Sequence, residues 1–447
     1  TTMANPLFSE FEAIESKQWK QQIQFELKGL DYNDTLVFES LEGIKIKPFY
    51  TSEDLPKTTA IAKLNEAFKI LQDVYVQEAN HANHVAKLKL EKGAESIWFI
   101  IPHQIDLNKL FNDLPTDITY FVTFHTIDDA LKQNLSDFSK KYQIKVCVDP
   151  IHRLMSDGNW FIDKEKDLRF VEKIVNQSGI LYIDSSLHQQ AGANGVQQLA
   201  YFAAHLTEYL NLVKPQQIIV KWAIGNHYFF EIAKLKALRV LIVTLCDAFE
   251  ISADIQIIAE PSLRNKTLYD YNVNMLRTTT EYMSAILGCA NFVMPLAYDT
   301  LYHKSNAFGD RIARNQLLIL KHESYFDNVL NPAEGTYFIE SLTQTFAEKS
   351  LDLLKMIEKG GGLLENLING KIQKHIIESA EKEQQWFDEG KIVLVGTNKY
   401  PNPQDQMKND LELYPFSKIK PRKTLIKPIN IKRLSEKLEK NRLEKEG

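Results

Sequence analysis

Cysteine is scarce in this sequence. The 447 residues include three, Cys147, Cys246 and Cys289. An odd number at such wide spacing excludes a disulfide framework and fits free thiols in a reducing compartment. Long apolar runs are missing as well, since stretches such as "VLIVTLC" fall far short of the ~20 residues that a membrane-crossing helix needs. Neither charge sign is in large excess. A formal net charge of −5 and an isoelectric point near 6.2 give no global drive toward nucleic acid or acidic lipid. The first twenty residues have neither the basic start nor the apolar centre of a secretory leader, so a soluble, cytoplasmic protein is expected.

Several ligand signatures are absent too. No G-x-G-x-x-G opens a helix, and no Lys-Ser/Thr follows the glycines of "EKGGGLLENLING", which read as a helix cap and the start of another helix. His81 and His84 share a helical face with Glu78 one turn earlier. No second His-x-x-His and no H-E-x-x-H supplies further ligands, so the pair reads as a solvated face and no metal is expected. "DSSLHQQAG" superficially matches the cobalt-binding motif D-x-H-x-x-G. The spacing fails, because His188 lies four residues from Asp184 and Gly192 four beyond it.

What is present is a repeating alternation. Apolar runs rich in β-branched and aromatic residues recur as "FKILQDVYV", "SIWFII", "ITYFVTF", "IKVCVD", "GILYID", "IIVKWAI", "IQIIAE" and "ANFVMPL". Helical patterns separate many of them. Strand–helix alternation predicts parallel pairing, and eight such strands predict an α/β fold of the (β/α)8 barrel type, with reactive groups at the C-terminal strand ends. An open doubly wound sheet is the structural rival.

A helical arm is expected over residues 1–35, with Phe8, Phe11, Ile14 and Trp19 at helical spacing. The barrel is expected over 36–335, starting with two β-rich pieces joined at Glu42-Gly43, and a helical extension and linker over 336–447. The basic, polar end "IKRLSEKLEKNRLEKEG" reads as a solvated helix. Residues 274–288 predict a helix with Leu276, Thr280, Met283 and Leu287 on one stripe. Arg277 near its positive end calls for a carboxylate partner.

That helix, "NMLRTTTEYMSAILG", also carries a resemblance. Together with "LEGIKIKPFYTSEDL", "GNHYFFEIAKLKALR", "FGDRIARNQLLIL", "NPAEGTYFIESLT" and "LVGTNKYPNP", it makes the chain similar to the methylmalonyl-CoA mutase family from about residue 19 to 445. The resemblance implies a barrel enclosing a CoA ester along its axis. It also implies radical isomerisation of methylmalonyl-CoA and succinyl-CoA with adenosylcobalamin, held by a further domain through D-x-H-x-x-G. The chain ends at Gly447, about where that domain begins, and lacks the motif.

Position by position, the resemblance implies lost chemistry. Against the active chains' R-P-W-T-I-R-Q-Y, "EAFKILQD" places Leu71 at an arginine and Asp73 at the tyrosine. Against G-Y-H-M-Q-E-A-G-A, anchored on Ala191-Gly192-Ala193, Ser186 replaces tyrosine, Leu187 replaces histidine, and His188 falls on the methionine. On an extended backbone that one-residue offset would turn His188 to the opposite face. Gln217 stands at an arginine expected to face CoA, and Leu317 at a glutamine.

No catalytic residue is therefore expected among Asp73, Ser186, Leu187, Gln217 and Leu317. Asp184, His188, Gln189, Glu260 and Arg277 remain as candidate polar residues of the barrel rim, with His188 expected to be a structural or a rim histidine. The pattern is similar to the small subunit of heterodimeric mutases. That implies no cofactor bound by this chain, adenosylcobalamin in the partner, and a large catalytic subunit as the partner. Two other readings stay open: an active acyl-CoA mutase subunit using a cobalamin domain on a separate chain, and a non-enzymatic CoA-binding or regulatory barrel.

Overall fold

The computed structural model describes residues 8–12, 14–56, 64, 66–125, 138–418 and 421–446. After helices α1 (Ser16–Glu26) and α2 (Tyr32–Leu36), a short antiparallel hairpin pairs β1 (Phe38–Glu39) with β2 (Lys45–Ile46) around Gly43. Eight parallel strands then follow: β3 (Lys69–Tyr75), β4 (Ser96–Ile101), β5 (Thr119–Phe124), β6 (Gln143–Val146), β7 (Ile180–Asp184), β8 (Gln217–Ile224), β9 (Asp254–Pro261) and β10 (Phe292–Val293). Their hydrogen-bonded order is β6-β5-β4-β3-β10-β9-β8-β7, so sequential strands are neighbours and β10 returns to β3. All eight expected strands are present, and the chain is an α/β barrel of the expected (β/α)8 type.

The strands read as almost continuous apolar runs because both faces are covered. Outside the barrel, α8 (Gly195–Leu210) and α9 (Tyr228–Ala248) are buried nearly all round, with α12 (Tyr337–Lys359) packed over both. On the other side, α3 (Ala79–Glu91) and α4 (Leu107–Leu110) cover β3–β6.

The barrel has one irregular seam. β6 and β7 close side by side, and among the described residues no backbone ladder joins them. A side chain bridges them instead: Asp149, two residues after Cys147, accepts the backbone N–H of Asp184 at 2.8 Å. The same Asp149 caps helix α5 (Pro150–Asp157), whose proline occupies the first turn, where its missing N–H costs nothing. Helices α6 (Lys164–Ser178) and α7 (Ser186–Ala191) follow on either side of β7.

Three sequence-based expectations are corrected here. The arm helix begins at Ser16, so Phe8, Phe11 and Ile14 lie ahead of it, exposed, and residues 1–7 fall outside the described residues. The stripe of α10 (Val273–Leu287) is not the expected one, because Leu276 is 68% exposed. The buried face instead carries Asn274, Thr278, Glu281, Tyr282 and Ala285. It can be polar because Lys266 Nζ meets the Glu281 carboxylate at 2.8 Å, an ion pair with both partners buried.

The last helix, α15 (Glu436–Leu443), is not solvated: Glu436 and Glu439 are both buried. Arg433 donates to both carboxylate oxygens of Glu439 at 2.6 and 3.0 Å, and the Leu268 N–H donates to Glu439 at 2.8 Å. The preceding segment returns to the barrel, where the Leu434 N–H donates to the Arg264 carbonyl at 3.0 Å. Helix α14 (Lys371–Asp388) sits directly on Gly192. A Cβ there would come within 2.6 Å of Ala380 and 2.7 Å of Arg264.

Candidate functional site

The bore of the barrel is the place to look for an axial ligand, and its middle is occupied by side chains. Leu71, Trp98, Phe121, Cys147, Tyr182, Ile219, Ile258 and Phe292, one from each strand or its last turn, form a single buried cluster. Trp98 lies 5.5 Å from Phe121 and 5.9 Å edge-on from Tyr182, and Phe121 lies 5.0 Å edge-on from Phe292. This is the packed interior usual for (β/α)8 barrels, not the axial channel that the sequence resemblance implies.

Two residues further along the strands, at the C-terminal rim, hydrocarbon gives way to charge. Lys221 Nζ stands 2.8 Å from Glu260 and 3.7 Å from Asp184, and 5.6 Å over the Trp98 ring. Asp184 also accepts the Ser186 N–H at 3.0 Å and Oγ–H at 2.6 Å, and the Tyr182 hydroxyl at 3.3 Å. The second oxygen of Glu260 accepts from Gln190 at 3.2 Å. Burial disfavours the charge on Asp184, but Lys221, His152 and the Ser186 hydrogen bonds outweigh it and hold the carboxyl well below its ordinary range. Burial likewise opposes the Lys221 ammonium, and Asp184 and Glu260 overcome it, so the amine stays protonated. Asp73 is exposed at the same mouth and adds to this field. The rim is an internally bonded network in which one ammonium, Lys221, faces two carboxylates.

Behind the rim, Asp149 is a buried hub. Besides the Asp184 N–H, its carboxylate accepts from the His152 N–H at 3.0 Å, His205 Nε2 at 3.0 Å and the Tyr209 hydroxyl at 2.6 Å. Burial works against this charge, and His205 and His152 outweigh it, leaving the carboxyl below its ordinary range. Nothing in the local sequence singles Asp149 out. Its partners come from β7 and α8, which no local pattern reveals.

Of the two places expected for His188, structural or rim, it takes the structural one and is not a rim residue. Residues 186–191 are helical, so the extended-strand argument for its direction does not apply. The ring is completely buried, 5.4 Å edge-on from Tyr201, and neither nitrogen has a hydrogen-bond partner among the described residues. Burial, with smaller contributions from His205 and His152, lowers its pKa to about 3, so it is a neutral core residue.

The other positions scatter. Leu187 and Leu317 are buried in the core between barrel and helices. Gln217 lies at the opposite, N-terminal mouth, accepting from Lys145 at 2.6 Å and donating to Asp254 at 2.7 Å. Arg277 has no carboxylate partner among the described residues. Its donors reach the Thr267 hydroxyl and the Asn274 side-chain oxygen at 2.8 Å and the Val395 carbonyl at 2.7 Å, so neutral acceptors answer the helix-dipole problem.

Gln189 lines a separate cleft of about 840 Å3 between the β1–β2 hairpin, α8, α9 and α14. The buried cations of that cleft are internally paired: Lys234 reaches Glu231 at 2.8 Å and Gln198 at 2.7 Å, and Arg264 reaches Glu383 at 2.6 Å. The three cysteines are free, as expected, and all are buried. Among the described residues no cluster of metal ligands occurs, and no helix is long and apolar enough to cross a membrane.

With this geometry in view, comparison with known proteins is direct. The methylmalonyl-CoA mutase family model matches residues 129–444. The chain is 30% identical to the methylmalonyl-CoA mutase small subunit of Porphyromonas gingivalis, over 89% of this chain and 71% of that protein. It is 26% identical to the methylmalonyl-CoA mutase of Cereibacter sphaeroides, over 86% of this chain and 64% of that one. The large subunit from the same Porphyromonas gingivalis matches at 30% identity over 50% of this chain and 33% of its own length.

Proposed function

This chain belongs to the methylmalonyl-CoA mutase family, and from that premise we propose that it is the small, non-catalytic subunit of an adenosylcobalamin-dependent mutase. Its work is to assemble with and stabilise a large subunit that interconverts methylmalonyl-CoA and succinyl-CoA. The observation that carries this reading is the filled bore: eight side chains stand where an axial CoA ester would run. The residues at the mouth do not fit a cobalt ligand either. His188 is sealed, His205 points a nitrogen at Asp149, and His152 Nδ1 lies 3.0 Å from the Asp184 carbonyl. We therefore assign both CoA ester and adenosylcobalamin to the partner. That both subunits of one organism match this chain supports a two-chain assembly.

The test is reconstitution. The chain alone, given adenosylcobalamin and methylmalonyl-CoA, is expected to show no turnover. Mixed with a large subunit, it should form a stoichiometric complex and raise that subunit's thermal stability. Turnover of an acyl-CoA by this chain with a separate cobalamin protein would overturn the reading, as would failure to associate at micromolar concentrations.

A further inference from the structure

We propose that Lys145, at the N-terminal mouth of the barrel, is a nucleophilic lysine that takes an acyl group from small acyl thioesters. Lys145 is the third residue of β6 and lines a cavity of about 480 Å3 at the end of the bore opposite the charged rim. Its Nζ donates to the side-chain oxygens of Gln217 at 2.6 Å and Gln256 at 2.8 Å. Among the described residues no carboxylate comes within ion-pair distance of it. Gln217 donates to Asp254 at 2.7 Å, and Glu66 pairs with Lys69 at 2.5 Å.

Two neutral acceptors are what a neutral amine can satisfy with its two N–H bonds, leaving the lone pair at the remaining tetrahedral corner. Burial lowers the Lys145 pKa to about 8. Asp254, Cys147 and Glu66 oppose that shift and Lys69 adds to it. A sizeable fraction of the amine is therefore unprotonated near neutral pH, the condition for a lysine nucleophile.

In the reaction, the amine nitrogen attacks the thioester carbonyl, the N–C bond forms and the C–S bond breaks. The thiolate leaves and takes up the proton that nitrogen sheds, giving an acylated lysine and a free thiol with no redox partner. The site lies outside the rim and does not depend on the subunit assignment.

The experiment treats the full chain with the acetyl thioester of N-acetylcysteamine and follows each lysine by peptide mass spectrometry. At pH 7.5 Lys145 is expected to acylate roughly ten-fold faster than exposed lysines such as Lys17 and Lys28, the gain in unprotonated amine exceeding the loss of nucleophilicity. Its rate should approach a plateau above pH 8. The isosteric Gln256→Glu places a carboxylate beside the ammonium and should bring the rate down to that of the exposed lysines, with thermal unfolding as the check on folding. Equal rates at Lys145 and Lys17 in the unsubstituted chain would overturn the proposal, as would a rate indifferent to Gln256→Glu.

Discussion

The middle of the bore and its C-terminal rim are built from the same strands, two residues apart: Tyr182 and Asp184 on β7, Ile219 and Lys221 on β8, Ile258 and Glu260 on β9. The middle layer is held by aromatic and aliphatic contact, which is indifferent to pH and works by area removed from water. The rim is held by three charges whose separate desolvation is costly and whose mutual attraction compensates. One architecture thus carries a hydrocarbon plug under an ionic cap. The step between them shows how little sequence distance separates a site that could bind polar ligands from one that cannot.

Substitutions can break or sharpen that contrast. The largest effect is expected at the hub behind the rim. Asp149→Ala orphans His205, Tyr209 and two backbone donors, and should cost about 3–5 kcal/mol in denaturant unfolding, as for any buried charge network broken from one side.

Trp98→Ala should cost about 3–4 kcal/mol by opening a cavity in the plug, with a loss that stays constant from pH 4 to 8. Lys221→Met should cost about 2–3 kcal/mol at pH 7, because Asp184 and Glu260 are left facing each other. Unlike the Trp98 loss, this one should depend on pH. The Asp184 carboxyl is depressed in the folded chain, so its contribution is present above about pH 4 and disappears as pH falls through the folded value. The gap between Lys221→Met and the parent therefore closes in acid.

His188→Met is the mildest. The unpartnered ring nitrogens make the change neutral to within about 1.5 kcal/mol at pH 7.5. The native imidazole is neutral down to about pH 3, whereas the unfolded one protonates below about 6.5. Stability of the parent thus falls with pH through that window, and the variant should gain on it by about 2 kcal/mol at pH 5. A pH-independent difference would mean that the ring is not sealed.

The barrel was legible because each strand run is long enough and β-branched or aromatic enough to stand out between helical patterns. The plug was not, because strands covered on both faces show no alternation to say which of Ile97 and Trp98 points inward. The resemblance located the lost chemistry in sequence but not in space. It grouped Ser186 with Gln217, which lie at opposite mouths. The settings of Arg277 and of the last helix were hidden for one reason: Val395 meets the first and Leu268 the second, and both come from distant parts of the chain. Composition registers a charge but not what meets it.

The seam between β6 and β7 has a consequence for how the chain can be divided. Strands β3–β6 form one continuous arc and β7–β10 another, and Phe292 against Lys69 joins them by ordinary ladder bonds. On the far side no ladder joins the arcs among the described residues, and side chains bridge them: Asp149 holds the Asp184 amide, and Lys145 reaches Gln217 and Gln256. A break in the polypeptide at Gly158–Asp163, between α5 and α6, severs no ladder at all. The molecule is two half-barrels on one hinge, clasped across the seam by side chains alone, a form suited to being split into fragments and recombined in trans.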